Sequence, residues 1–170
     1  MSFTFTLADT KILWISFVAT ILCTVAFQVL VHQFDLALLD ALSDSTEIQA
    51  AIAGMSEQQR LIHAWMTGTL DVAYPIVYGS FFIGSAYTFF PSKGFLLSLP
   101  ALICIPVDLI EGVIQILALV GFADWTQLKE LLTPLKKLLF VTSSLLTIGG
   151  WVKWLYLRAI QRRKVNPVPQ

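Results

Sequence analysis

The chain has 170 residues, 56% of them hydrophobic and only 13% charged, with no net charge and a mean hydropathy of +0.76. A water-soluble domain of this size carries about a quarter charged residues, so the composition argues for an integral membrane protein. Lysines and arginines cluster only in a short tail, and nucleic acid is not an expected partner.

Four segments are long enough to span a bilayer, which takes about 20 apolar residues per helix. The first is "ILWISFVATILCTVAFQVLV", residues 12–31. It is too long for the apolar core of a signal peptide, and no small-residue cleavage site follows, so it is expected in the mature protein. The outer loop 32–68 is acidic, with Asp35, Asp40, Asp44, Glu47 and Glu57 against Arg60. Within it "STEIQAAIAG" predicts a short capped helix ending at Gly54. "SEQQ" (Ser56 to Gln59) predicts a capping box. Nothing breaks the pattern from there into the second span, 69–90, so that helix should begin well outside the bilayer.

"PSKG" predicts a tight turn into the third span, 95–121. Asp124 and Gln127 have the spacing of a second capping box, opening a short outer helix. Thr133 and Pro134 read as an N-cap with proline in the first turn, ahead of the fourth span, 135–157. Cys23 and Cys104 lie in apolar segments without disulfide, zinc or redox spacing. One transmembrane domain over 1–164 and a cytoplasmic tail at 165–170 follow.

Orientation rests on basic residues. Lys11, Lys93, Arg158, Arg162, Arg163 and Lys164 fall on one side, with Lys153 near it, and Arg60, Lys129, Lys136 and Lys137 on the other. Both termini are thus expected in the cytoplasm, with Trp14, Trp151 and Trp154 in the inner belt and Trp65 and Trp125 in the outer one. The predicted fold class is all-α: an integral membrane four-helix bundle with short amphipathic helices on its outer face. The host is expected to be a plasma or inner membrane, or the ER membrane of a eukaryote.

Polar residues of the spans fall at one depth. With a rise of about 1.5 Å per residue, Asp108 lies roughly 20 Å above the cytoplasmic boundary and Glu111 roughly 24 Å. Asp71, Tyr74, Tyr78, Lys136 and Ser143 come out in the same outer half, as do Thr24 and Gln28 on the first helix. Helical spacing puts Asp108, Glu111 and Gln115 on one face, and Asp71, Tyr74 and Tyr78 on another. Pro75 and Pro106 each free a carbonyl near the acids.

Acids at such depth face a protein interior or water and pair with something. Asp108, Glu111 and Asp71 are therefore the candidate acid/base or cation-pairing groups. Tyr74, Tyr78, Gln28, Gln115, Lys136, Ser143 and Thr24 are the candidate ligand-binding ones. Three functions stay open: a pocket binding, and by proton transfer transforming, a lipophilic or cationic amphiphilic small molecule; a proton- or cation-coupled transporter; and a structural or assembly subunit held by a buried Asp/Glu–Lys lock. Expected partners are membrane lipids and that small molecule, with room for a homo-oligomer or another membrane protein. No metal or cofactor is expected, since His32 and His63 both sit at the outer edge and no phosphate loop, HExxH motif or nucleophile elbow occurs.

The runs "TLDVAYPIVYGSFF", "PVDLIEGVIQ" and "LTPLKKLLFVTSSLL" resemble an uncharacterised family of four-helix membrane proteins with the patterns "LLDxxFPLLYALF", "FDLLEN" and "LKW". The likeness covers roughly residues 60–155 and carries over Asp71, Pro75, Tyr78, Asp108, Glu111 and Lys136. Gly112 stands where that family has Asn, and Lys137 where it has Trp. A fainter likeness, of architecture, is to the EXPERA superfamily of sterol isomerases and the sigma-2 receptor. It implies a lipophilic amine or sterol held in an acid-containing cavity, with Asp71, Asp108 and Glu111 as the matching acids.

Overall fold

The computed structural model describes residues 9–165, with side chains through residue 160. Of the expected tail only Val165 falls inside this range, and the side chains of Arg162, Arg163 and Lys164 lie outside the described ones. The described residues are helical throughout, without a strand. Five helices form: α1 (Thr10–Gln33), α2 (Ser45–Gly54), α3 (Glu57–Phe89), α4 (Gly94–Leu119) and α5 (Lys129–Val165), with 3₁₀ turns at Leu39–Ala41 and Thr126–Leu128.

Helix ends follow from local chemistry. Asp9 caps α1 by accepting from the Lys11 backbone N–H at 2.8 Å. Asp44 caps α2, accepting from Thr46 N and Glu47 N at 2.8 and 3.1 Å, and the Thr46 hydroxyl, which also donates to it, together with these backbone bonds holds its carboxyl below the usual carboxylate range. Ser56 and Gln59 form the expected capping box, so α3 starts at Glu57 and runs unbroken to Phe89. The "PSKG" turn is tight, with Lys93 N donating to Phe90 O at 2.9 Å. At the end of α4, Gly121 takes φ +70°. Its N–H donates to Ala118 O and that of Phe122 to Leu117 O, the Schellman arrangement that ends a helix on glycine.

The fourth span departs from expectation. Asp124 accepts from Thr126 N and Oγ1 at 3.1 and 2.6 Å instead of forming a box with Gln127. α5 begins at Lys129, so Thr133 caps nothing, and Pro134 lies inside the helix. Pro134 removes one backbone bond, to the Glu130 carbonyl, and the helix continues through it. The Thr133 hydroxyl is free for a tertiary contact.

Among the described residues, three helical segments are long and apolar enough to cross a membrane: Thr10–Gln33, Gly94–Leu119 and Thr126–Ile160. The expected second span, within α3, is not among them. The stretch expected at membrane depth mixes tyrosines, glycines and serines, and from Tyr78 to Ala86 all but Ser80 are buried. α3 is packed against α1, α4 and α5, so its side chains need match protein more than lipid. α1 is the opposite case, since only Leu13 and Ser16 are buried.

Packing is tightest where α3 meets α4. A Cβ on Gly79 would lie 2.4 Å from Ile105 Cδ1 and 2.6 Å from Cγ1. Gly79→Val should therefore cost about 1–3 kcal/mol by overpacking, read as a lower midpoint in thermal unfolding; an unchanged midpoint would contradict this packing. A core of Leu13, Tyr78, Phe81, Phe82, Ile83, Ala101 and Cys104 joins α1, α3 and α4, with Phe140 and Trp151 of α5 against it. A second, smaller core of Leu39, Ile48, Met55, Ala64 and Leu119 seats α2 and the Leu39–Ala41 turn on the other end.

Candidate functional site

Four helices and one turn enclose a cavity of about 320 Å³. α1 supplies Cys23, Thr24, Phe27 and Gln28; α3 supplies Leu70, Asp71, Tyr74 and Tyr78; α5 supplies Lys136, Lys137, Phe140 and Val141. Asp108 of α4 and Asp40 of the 3₁₀ turn complete the wall. Most of this surface is apolar, with the charges gathered at the end nearest the turn.

Asp108 sits at the centre of the polar groups. Its Oδ2 accepts from the Tyr78 hydroxyl at 2.8 Å, and Oδ1 from Lys136 Nζ at 3.0 Å. Tyr78 is buried, its hydroxyl also 3.3 Å from Cys104 Sγ. Tyr74 stacks edge-on against Tyr78 at 5.2 Å, and its hydroxyl lies 3.2 Å from Thr24 Oγ1. Gln28 is exposed on the cavity rim.

Glu111 lies behind the wall, not on it. It is fully buried, with Oε2 2.6 Å from Lys136 Nζ, and Oε1 3.3 Å from Lys129 Nζ. Oε1 also accepts from Thr133 Oγ1 at 2.6 Å. Two carboxylates that share one face of α4 are thus held apart by ammonium groups. Lys136 bridges them, and Lys129 adds a second positive charge on the far side of Glu111.

Gln115 and Ser143 likewise do not line the cavity. Gln115 is buried, donating to Thr67 Oγ1 at 3.1 Å and accepting from Lys129 Nζ at 2.6 Å. Ser143 returns its hydroxyl to Leu139 O at 2.9 Å, as serines in helices often do. Of the ten expected site residues, seven meet at the cavity: Asp71, Asp108, Tyr74, Tyr78, Lys136, Thr24 and Gln28.

Sequence reasoning missed Asp40 and Lys129. Asp40 arrives on a loop, and its Oδ1 is 3.9 Å from Lys129 Nζ and 4.0 Å from Lys136 Nζ. Lys129 is fully buried and also donates to Leu39 O at 3.2 Å. The signal for Lys129 was its spacing: Lys129, Thr133 and Lys136 (i, i+4, i+7) fall on one helical face, the face that meets Glu111. For Asp40 no local pattern existed.

A polar chain extends from this cluster to the end of the molecule where α2 is seated. Lys129 holds Gln115, Gln115 holds Thr67, Thr67 Oγ1 is 3.4 Å from His63 Nδ1, and His63 Nε2 is 3.1 Å from Ala37 O. A carbonyl only accepts, so Nε2 carries the proton and Nδ1 accepts from Thr67. Burial pushes the His63 imidazole below its ordinary value. The unfolded chain then takes up more protons below about pH 6.5, so stability should fall as pH drops through that value. His63→Gln should flatten the dependence of the unfolding midpoint on pH over about 7 to 5; an equally steep curve in the variant would contradict it.

Fold and site together define an all-helical chain, three of whose helices are long and apolar enough to cross a membrane, with a charged cavity set among them. No family model, curated protein or solved structure matches the chain.

Proposed function

We propose that this chain is an integral membrane four-helix bundle of α1, α3, α4 and α5 that binds a lipophilic or cationic amphiphilic small molecule in its outer half. The observation that carries this reading is the cavity: apolar walls with Asp40, Asp71 and Asp108 at one end, the composition of a site that orients a mostly apolar ligand by a few polar groups. Both termini lie in the cytoplasm. Support for this orientation comes from the basic residues at one end of the molecule, Lys93, Lys153 and Arg158, and an aromatic belt marks the same end, where Trp14 meets Trp151 at 5.8 Å, Trp151 meets Trp154 at 5.7 Å, and Arg158 covers Trp154 at 4.3 Å. Such belts mark a membrane interface. Exposed Trp65, Phe122 and Trp125 form the outer counterpart.

The carboxyls on the wall can also exchange a proton with a bound molecule, so proton transfer is the reaction class for any chemistry at this site. The same kind of ligand and site is what the resemblance to the EXPERA superfamily implies. Binding is favoured over transport by the inner half of the molecule. Tyr78 and Phe140, 5.1 Å apart, close the cavity floor, and Phe82 packs against both at 5.8 and 5.4 Å. Below them Thr20 and Ser98 spend their hydroxyls on helical carbonyls.

The lock reading has its own observation, and it applies to Glu111, which is buried and enclosed by Lys129, Lys136 and Thr133. Glu111 is therefore assigned to holding α4 on α5, and Asp71 and Asp108 to the ligand. The test is thermal unfolding in detergent with hexadecylamine, hexadecanol or cholesterol added. A raised midpoint with one of them, and most with the amine, is the expected result; no shift with any of the three would overturn the reading.

A further inference from the structure

We infer that the cavity fills sideways from the bilayer, through the gap between α1 and α5, with a single-chain amphiphile whose head enters while its chain stays between those helices. This rests on the binding function proposed above. The outer end is covered by the Leu39–Ala41 turn, which α5 holds by two backbone carbonyls: Lys129 Nζ donates to Leu39 O at 3.2 Å and Lys137 Nζ to Ala41 O at 3.0 Å. The inner end is the aromatic floor. α3 and α4 pack closely behind, and Tyr74 meets Thr24 where α3 meets α1.

One side is left. α1 packs along α3, and it reaches α5 near the aromatic end, where Trp14 meets Trp151. Level with the cavity the two helices stand apart, and their facing residues line the cavity while open to the exterior. Val141 is 52% exposed there. Gln28 on the opposite lip is exposed, and its amide makes no hydrogen bond among the described residues. A solute arriving from water meets the pinned turn; a molecule dissolved among lipid chains meets an opening.

Volume sets the class of molecule. About 320 Å³ is the small end of ligand pockets, which span about 300–1,000 Å³. It takes a head and the first carbons of a chain, and the remainder must lie outside, which the open side allows. The acids at the end nearest the turn suit a basic head, since Lys136 is already shared between Asp108 and Glu111.

The test uses the full chain in phosphatidylcholine nanodiscs and radiolabelled hexadecylamine, with uptake followed in time. Val141→Trp and Gln28→Trp, one on each lip, should each slow uptake at least tenfold. Ile148→Trp, on a lipid-exposed position of α5 away from the cavity, should not. Wild-type rates in both lip variants would overturn the sideways route while leaving the pocket intact. Wild-type protein that takes up no amine would overturn the binding function itself, and the route with it.

Discussion

Lys129→Met should lower stability by about 3–5 kcal/mol, the usual cost of breaking a buried ion pair from one side. Lys129 is fully buried, and its ammonium reaches Glu111, Gln115, the Leu39 carbonyl and Asp40. Methionine fills the stem's volume and leaves those acceptors unmet, so the loss reads on charge and hydrogen bonding rather than on a void. Glu111→Met added to Lys129→Met should return much of the loss, because an apolar replacement of a whole buried pair is often neutral. Denaturant unfolding in detergent measures both. A single variant within about 0.5 kcal/mol of wild type, the ordinary range for a surface change, would contradict the role given to Lys129.

Asp71→Asn and Glu111→Gln should separate ligand binding from the lock. Asp71 lines the cavity and makes no ion pair among the described residues. Its substitution should weaken amine binding tenfold or more, about 1.4 kcal/mol, and leave the unfolding midpoint nearly unchanged. Glu111→Gln should do the reverse, since the carboxylate touches α5 and not the cavity. Asp108→Asn should show both effects, because Asp108 lines the cavity and also holds Lys136 and Tyr78. Titration calorimetry with hexadecylamine supplies the affinity. Equal loss of affinity in the first two variants would put Glu111 back in the pocket.

Much of this was legible because helical periodicity is local. The Ser56 capping box, the early start of α3 and the "PSKG" turn depend on neighbours within four residues, and they came out as read. The common depth of Asp71, Tyr78, Asp108 and Lys136 needed only rise per residue. Facing within a helix does not say which neighbour occupies that face. Asp108 and Glu111 share a side of α4, yet one turns to the cavity and the other to Lys129 and Thr133. Thr133 with Pro134 looked like a helix start because both residues are common there; the Glu111 contact gives Thr133 another use. Asp40 was out of reach because its place depends on how the chain from 34 to 44 folds back, which no periodic pattern encodes.

The length of α3 has a consequence for where this protein can work. Its 33 residues make a rod of roughly 50 Å, against about 30 Å for the hydrocarbon core of a bilayer. In the orientation proposed above, with its inner end at the cytoplasmic boundary, the part carrying His63 and Trp65 would stand clear of the acyl chains. The turn over the cavity then lies near the headgroups, and a few ångströms of bilayer thickness shift it relative to them. Thickness differs among cellular membranes by about that much. Under the proposed binding function, hydrophobic mismatch would therefore set how much of the gap between α1 and α5 is bathed in lipid tails, so that binding would differ between a thin membrane and a thick one.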